Sequence, residues 1–320
     1  MIEVPGLPEA ILKALSRLAH TVRAFAGGFV HPVAPPAPRL KVGLALGGGF
    51  ARGLAHVGVI KVLEEEGVPI DFVAGTSVGA VIGAMYCSGV SVREMMELAA
   101  LVRFRDFARW TVSRFGFCSN DRMAPFLAKL VKCADFEHLK TPLIVTATDF
   151  VTGEPALFRS GPLVDAIRAS CAYPGMFLPV NVNGRLLIDG LLAYPVPSEP
   201  LKQFHADRVI SVYLSAHWVS GRGPRHIFDV IGQCFSIAQS KMCSSWQAAS
   251  DVVLQPDVSG FGYDQFERAP ELIAVGERAA REAVPLIKSC LKPAAVAAGA
   301  PSRARLAGQP ALDVSEANAT

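Results

Sequence analysis

A pentapeptide with a central serine, Gly-Thr-Ser-Val-Gly at residues 75–79, is the strongest candidate for a chemical site in this 320-residue sequence. It follows a short apolar run and precedes an apolar stretch with the spacing of a helix. Gly-x-Ser-x-Gly between a strand and a helix is typical of a nucleophile elbow, a sharp turn that exposes the serine hydroxyl. The sequence therefore predicts Ser77 as a nucleophile, with Gly75 and Gly79 permitting the turn. An ordinary glycine-serine turn is the alternative interpretation.

A second glycine-rich segment, GGGFARG, lies between a predicted strand and a predicted helix. Consecutive glycines expose backbone N–H groups and let a ligand oxygen approach closely, which suits an oxyanion hole. We expect Gly47, Gly48 and Gly49 to line that hole, with Arg52 and Gly53 supporting the loop. A nucleotide phosphate site is the competing interpretation. No Gly-Lys-Ser/Thr follows, however, and the dinucleotide pattern fails at its sixth position, where Arg52 stands. A tight structural turn is the third interpretation.

An aspartate at the end of a predicted strand is the candidate partner of the serine. Asp189 follows the apolar residues 186–188 and precedes Gly190, so its carboxylate can face a cleft; a surface turn is the common alternative. A Ser-His-Asp triad would also need a histidine, which α/β-hydrolases place after the aspartate. His217 is the strongest candidate for that role, whereas His56, inside the helix after the glycines, is most simply a packing residue.

Short apolar runs alternate with longer helical patterns over residues 40–290, and this alternation predicts one α/β domain with a mainly parallel sheet. The predicted strands span residues 41–46, 72–75, 143–148, 186–188, 208–214 and 252–255. The predicted helices span residues 54–66, 78–88, 162–169, 227–248 and 270–287. We expect an amphipathic helix and a proline-rich linker in residues 1–39, and a disordered tail in residues 291–320.

The composition favours a globular protein. Hydrophobic residues make up 51% of the chain and charged residues 18%, which is enough apolar material for a large core. The net charge of +3, without a long lysine or arginine run, disfavours a nucleic-acid partner. The seven cysteines are widely spaced and include no CxxC pair, so neither a disulfide framework nor a zinc site is expected. We expect no metal and no organic cofactor.

Two features bear on cellular location. The N-terminus lacks an uninterrupted apolar core of the signal-peptide type. The uncharged stretch 72–92 is better explained as a buried strand running into a buried helix than as a membrane span. Residues 101–121 interleave arginines, among them Arg103 and Arg109, with aromatic residues such as Trp110, which suits either a lipid interface or a helical cap over the site. We expect a cytoplasmic protein, and peripheral contact with the inner membrane surface is left open.

The glycine loop, the Gly-x-Ser-x-Gly elbow and the later Asp-Gly resemble, in type and order, the motifs of the patatin-like phospholipase family. Residues 169–179, ASCAYPGMFLP, are similar to the family's ASxxxPxxFxP block. The text GLAHVGVIKVLEEEGVPIDFVAGTSVGA is similar to the bacterial branch of the family. The resemblance covers roughly residues 41–215. The chain departs from the family pattern at Leu191, where glycine or alanine is usual, so local packing beside the aspartate is open.

The resemblance implies a three-layer α/β/α domain with a Ser77–Asp189 dyad, no catalytic histidine, and a lipid acyl ester as substrate. An ordinary aspartate has a pKa of ~3.9 and is a poor base. Its role would therefore require burial and a short hydrogen bond to the serine. The alternative function is a lipid-binding or regulatory protein that keeps the fold with little catalysis. A nucleotide-binding oxidoreductase is the third candidate.

Overall fold

The structure is a computed structural model that describes residues 39–111, 113, 116–214, 223–224 and 227–292. The predicted N-terminal helix and linker, and nearly all of the predicted tail, lie outside these residues. In chain order the strands are β1 (Val42–Leu46), β2 (Phe72–Thr76), β3 (Arg109–Trp110), β4 (Gly116–Ser119), β5 (Leu143–Asp149), β6 (Pro155–Phe158), β7 (Gly175–Phe177), β8 (Val180–Val182), β9 (Arg185–Asp189), β10 (Arg208–Val212) and β11 (Val252–Leu254). All six predicted strands are present with ends shifted by at most about two residues, whereas β3, β4, β6, β7 and β8 were not predicted.

The main sheet of the described residues has eight strands in the order β11-β10-β1-β2-β5-β9-β8, and β6 also pairs with β5. The pairs from β11 through β5 are all parallel, whereas β5 is antiparallel to β6 and β9, and β9 is antiparallel to β8. A second, three-stranded sheet contains β3, β4 and β7. The predicted fold class, an α/β domain with a mainly parallel central sheet, is confirmed.

Helices connect these strands. In chain order they are α1 (Ala55–Glu65), α2 (Val78–Cys87), α3 (Val92–Leu101), α4 (Phe104–Phe107), α5 (Met123–Leu130), α6 (Leu163–Ser170), α7 (Ser198–Gln203), α8 (Ile227–Lys241), α9 (Cys243–Ala248) and α10 (Ala269–Cys290). Short 3₁₀ turns precede α1 (Phe50–Leu54) and follow β9 (Gly190–Leu192). The prediction of a single helix over residues 227–248 was wrong in one respect. The helix is interrupted at Met242, which separates α8 from α9.

Apolar cores lie on both faces of the sheet and define the three layers. Successive residues of a strand point to opposite faces, so Leu44 and Leu46 of β1 join one core while Ala45 joins the other. The first core is the larger and includes α1, α2 and α10. The second includes Leu201 of α7 and the fully buried Trp246 of α9.

Two glycines bring α1 and α10 into close contact. A Cβ on Gly58 would collide with the Ile273 carbonyl, and a Cβ on Gly276 would collide with the Ala55 carbonyl. Each helix therefore presents a glycine to the other's backbone, and no larger residue fits at either crossing position without displacing a helix. This contact fixes α1, the helix that follows the glycine loop.

The uncharged stretch 72–92 forms β2, a sharp turn and α2, as predicted. Both elements are largely buried: β2 lies within the main sheet, and α2 belongs to the larger core. Each helix in the described part of the chain is too short or too polar to cross a bilayer.

Candidate active site

The elbow between β2 and α2 places Ser77 at the carboxyl end of a central strand. Ser77 has φ 54° and ψ −125°, a left-handed conformation that costs free energy for any residue with a side chain. The flanking glycines explain how the turn is accommodated. A Cβ on Gly75 would lie 2.5 Å from the Gly79 carbonyl oxygen, and a Cβ on Gly79 would collide with the Leu46 carbonyl. Small residues on both sides thus let the helix begin directly against the strand.

The register of β5 explains why an aspartate 112 residues away lies beside this serine. Along one edge of β5, Thr146 pairs with Thr76 of β2, and the next residue, Ala147, pairs with Asp189 of β9. The opposite edge of β5 carries β6 over the same residues. Because β2 and β9 run in opposite directions along one edge, their carboxyl ends meet head to head, and this brings Asp189 next to Ser77.

The serine and the aspartate are directly hydrogen-bonded. Ser77 Oγ donates to Asp189 Oδ2 at 2.7 Å, and Leu191 N donates to Asp189 Oδ1 at 3.0 Å. Asp189 is fully buried, and this desolvation raises its pKa from 3.8 to about 7, although the hydrogen bonds from Ser77 and Leu191 act in the opposite direction. The departure from the family pattern at Leu191 leaves this contact in place, because only its backbone amide is used.

No histidine within the described residues hydrogen-bonds to either member of this pair. His217, the alternative base, lies outside the described residues. His56 is buried as predicted, and its Nε2 lies 2.8 Å from the Gly47 carbonyl oxygen.

Two neighbours of the pair come from a segment to which the sequence assigned no role. Ser170 Oγ accepts a 2.8 Å hydrogen bond from Ser77 N and thereby ties α6 to the elbow. Cys171, the next residue, is near both Ser77 and Asp189, and burial holds the pKa of its thiol well above the ordinary value. Thr148 Oγ1 donates to the Asp189 carbonyl at 2.9 Å. The ASxxxP block was the signal that could have identified Ser170.

The glycine loop lies against Ser77, and its three backbone amides differ in their hydrogen bonding. Gly47 N donates to Val212 O at 3.1 Å, so that amide extends the pairing of β1 with β10. Gly48 N donates to Pro195 O at 3.3 Å, which is long for a hydrogen bond of this type. Within the described residues the Gly49 amide makes no intramolecular hydrogen bond. Gly48 is the glycine nearest the serine in this loop, since a Cβ on it would lie 3.4 Å from Ser77 Cβ.

The predicted supporting residues of the loop pack beneath it. Arg52 is 6% exposed and donates through Nε to the Phe261 carbonyl at 2.8 Å. Burial lowers the pKa of its guanidinium to about 10, and Asp264 partly opposes this change. A Cβ on Gly53 would collide with the Val78 side chain, so glycine at this position lets the loop approach the first turn of α2.

An apolar cavity opens beside the serine. It has an empty volume of about 800 Å³, including its open mouth, and nearly all of its surface is hydrocarbon. Its walls are formed mainly by side chains of α2, α3 and α5, including Val81, Met95, Ala99 and Leu127, and Ser77 contributes to its lining. Concave apolar sites of several hundred Å³ are the usual size for small-molecule ligands.

A second, more polar pocket also includes Ser77. The loop glycines Gly48 and Gly49 line it, together with Ser236 and Gln239 of α8, which the sequence did not single out. Since Ser77 lines both pockets, the serine lies where an apolar and a polar compartment meet. Among the described residues, no cluster of three or more histidine, cysteine, aspartate or glutamate side chains is arranged to hold a metal ion.

The stretch 101–121, interpreted from the sequence as either a lipid interface or a cap, has both an inner and an outer side. Phe107 lines the apolar cavity and so belongs to a cap. Trp110 and Phe117 are 66% and 47% exposed. Arg109 is itself in an exposed ion pair with Asp121, at 3.2 Å.

Comparison with known proteins agrees with the motifs and the fold. Residues 44–202 match the family model described as patatin-like phospholipase. The chain therefore belongs to the patatin-like phospholipase family, and the resemblance stated from the sequence is confirmed.

Several named proteins are similar to this chain. An uncharacterized NTE family protein of Mycobacterium tuberculosis is 38% identical over 178 residues, which are 55% of this chain and 49% of that protein. Lysophospholipase NTE1 of Mycosarcoma maydis is 28% identical over 233 residues, which are 69% of this chain and 12% of that protein. The crystal structure of VipD from Legionella pneumophila aligns over 79% of this chain and 67% of that one, with 13% identity and a TM-score of 0.41. The chain thus spans about half the length of its mycobacterial relative.

Proposed function

We propose that this protein is a serine lipid acyl hydrolase of the phospholipase A or esterase type, with Ser77 as nucleophile and Asp189 as general base. One observation carries the proposal: Ser77 Oγ donates to a fully buried carboxylate at 2.7 Å, where an apolar cavity meets a polar pocket. A base must lie within hydrogen-bonding reach of the proton it removes and have a pKa near the working pH. Asp189, with its pKa raised to about 7 by burial, meets both requirements.

The first half of the reaction acylates the serine. Ser77 Oγ attacks the ester carbonyl carbon while its proton passes to Asp189 Oδ2, and the carbonyl electron pair moves to the oxygen. The amides of Gly48 and Gly49 would bind this oxyanion; a donor of this kind stabilises the transition state by about 3 kcal/mol. The Gly49 amide has no acceptor among the described residues, and the long Gly48–Pro195 hydrogen bond is weak enough to be exchanged for a charged acceptor. The bond to the alcohol then breaks, and Asp189 returns its proton to the departing alkoxide.

The second half releases the acyl group. Water donates a proton to Asp189 as its oxygen attacks the acyl carbon, and a second tetrahedral oxyanion forms at the same amides. Its collapse breaks the bond to Ser77 Oγ, which takes the proton back from Asp189. The products are a fatty acid and the regenerated enzyme, so the cycle needs only the ester and water.

The two pockets suggest how the substrate lies. The apolar cavity accommodates hydrocarbon and offers almost no polar group, so we assign the acyl chain to it. The polar pocket beside Gly48 and Gly49 would then hold the alcohol portion of the ester. The name of the fungal relative, a lysophospholipase, supports a phospholipid or lysophospholipid as the substrate class.

Peripheral contact with a membrane is part of this proposal. Trp110 and Phe117 expose large aromatic surface on the segment whose inner side, at Phe107, lines the acyl cavity. Aromatic side chains with neighbouring arginines favour the interface of an anionic bilayer. We propose reversible contact of this segment with the inner membrane surface, for a protein expected in the cytoplasm.

Labelling with a fluorophosphonate tests the nucleophile directly. The expected result is one covalent adduct, mapped to the peptide that contains Ser77, with loss of ester hydrolysis in the same proportion. Ser77→Ala is the control and should abolish both labelling and hydrolysis while the protein still unfolds cooperatively. A folded wild-type protein that binds lipid but neither labels nor hydrolyses any ester would favour the alternative, a lipid-binding protein with the same fold.

A further inference from the structure

A buried histidine contacts the glycine loop from behind. His56 lies in the first turn of α1, is inaccessible to solvent, and has its Nε2 atom 2.8 Å from the Gly47 carbonyl oxygen. We propose that His56 is a positioning residue, whose hydrogen bond to Gly47 O restrains the Gly47–Gly48 peptide and so keeps the Gly48 amide beside Ser77. This inference rests on the function proposed above and assigns to His56 a role beyond packing.

The chemistry of the ring fixes which nitrogen donates. A carbonyl oxygen only accepts, so Nε2 carries the proton in this contact. Burial lowers the pKa of His56 to about 4, although the hydrogen bond to Gly47 acts in the opposite direction. The ring is therefore neutral near pH 7, and Nδ1 is unprotonated. This nitrogen has no hydrogen-bond partner among the described residues. A neutral histidine exerts no charge effect on the oxyanion. We therefore assign its influence on the loop to the single hydrogen bond from Nε2 to Gly47 O.

The geometry of the peptide group transmits this contact to the next amide. The Gly47 carbonyl and the Gly48 N–H belong to one planar, trans peptide unit, so they point in opposite directions and rotate together. A donor on the carbonyl side therefore restrains the amide on the other side. That amide belongs to Gly48, the loop glycine nearest Ser77, and its present acceptor is Pro195 O at 3.3 Å. Donation to the carbonyl also polarises the peptide and strengthens the Gly48 N–H as a donor.

The position of His56 is itself rigid. Its helix is locked to α10 by the close contact at Gly58 and Gly276. On its other side, the Gly47 carbonyl lies against the first turn of α2, since a Cβ on Gly79 would be only 2.7 Å from its oxygen. The Gly47 carbonyl thus lies between α1 and α2, and His56 of α1 donates a hydrogen bond to it.

Two amide substitutions separate a positioning role from simple packing. In His56→Gln the side-chain NH₂ can occupy the place of Nε2, whereas in His56→Asn it is about one bond too short. Both variants bury a neutral amide, so their effects on stability should be similar. We expect His56→Gln to keep kcat within about threefold of wild type. We expect His56→Asn to lose at least about tenfold in kcat with KM unchanged, and no more than the roughly 10²–10³-fold that follows removal of a whole oxyanion donor.

A second measurement reads the hydrogen bond without catalysis. The ¹⁵N resonance of the Gly48 amide depends on donation to the Gly47 carbonyl, so it should move in His56→Asn and stay near its wild-type position in His56→Gln. Should His56→Asn fail to fold, His56→Gln still decides: a folded glutamine variant that has lost tenfold in kcat overturns the proposal.

The outcomes distinguish this proposal from the one on which it rests. A wild-type protein that hydrolyses no ester and is not labelled at Ser77 overturns the proposed function. An active wild type with equal kcat in folded His56→Gln and His56→Asn overturns only the role of His56. A loss of kcat confined to His56→Asn, accompanied by the shift at Gly48, supports it.

Discussion

Replacing Asp189 by asparagine should remove activity and increase stability at the same time. Asparagine has nearly the same shape, and its side-chain oxygen can still accept the hydrogen bond from Leu191 N, while its NH₂ group can donate to Ser77 Oγ. The serine then has no acceptor for its proton. Loss of a general base typically costs about 10²–10⁴-fold in rate, so we expect kcat to fall by at least this range in Asp189→Asn.

The gain in stability follows from the pKa of the buried carboxyl group. Burial raises that pKa from 3.8 to about 7, and at ~1.4 kcal/mol per pKa unit this corresponds to about 4 kcal/mol. Because the folded pKa is raised, the folded state holds its proton more tightly than the unfolded chain. The wild-type protein therefore loses stability as the pH rises from about 4 to about 7, and the loss is complete above about 7. The asparagine variant has no such group, so its advantage is absent at pH 4 and approaches about 4 kcal/mol at pH 8.

Urea unfolding at a series of pH values, with ester hydrolysis measured in parallel, tests both consequences. Asp149→Asn is a matched control, since Asp149 ends β5 and its pKa is lowered, chiefly by the hydrogen bond from Arg185. That variant should lose stability at neutral pH and retain hydrolysis. The reasoning would be refuted by near-wild-type hydrolysis in Asp189→Asn, or by a stability difference from wild type that is the same at pH 4 and pH 8.

Three further predictions concern the loop, the cavity and the exposed aromatic side chains. Gly48→Ala puts a methyl group 3.4 Å from the serine Cβ and should reduce kcat with little effect on Tm, whereas Gly53→Ala collides with the start of α2 and should lower Tm first. Ala99→Phe fills part of the apolar cavity, so hydrolysis of long-chain esters should fall while that of acetyl or butyryl esters persists; equal losses for all chain lengths would contradict an acyl site. Replacing Trp110 and Phe117 by serine should weaken co-sedimentation with anionic vesicles and leave hydrolysis of a soluble ester unchanged; undiminished sedimentation would exclude this surface.

The sequence predicted the parts of the site that depend on local geometry. The strand, turn and helix around Ser77 follow from five consecutive residues, because Gly75 and Gly79 are needed wherever a helix starts directly against a strand. The six predicted strands were confirmed for a similar reason, since each is a short apolar run bounded by breaking residues. Neither inference required knowledge of which elements are neighbours.

What could not be predicted depends on contacts between distant parts of the chain. The meeting of β2 and β9 on one edge of β5 is a matter of register, and no local pattern encodes it. The partners of the loop amides are likewise distant, since Gly47 donates to Val212 and Gly48 to Pro195. The residues around Phe107 carry a mixed basic and aromatic pattern, which does not reveal which rings turn inward to the cavity.

A catalytic dyad places opposing demands on the aspartate, and the structure suggests how they are balanced. In a triad the histidine supplies a pKa near neutrality, whereas in the proposed Ser77–Asp189 dyad the carboxylate must reach that value through desolvation. Every hydrogen bond donated to Asp189 lowers its pKa and weakens it as a base, yet at least one from Ser77 is required for proton transfer. The side-chain oxygens accept only two such bonds from described residues, those of Ser77 and Leu191. A third donor would stabilise the folded protein and lower the basicity of the carboxylate, so the small number of donors around this buried group is itself a condition of the proposed reaction.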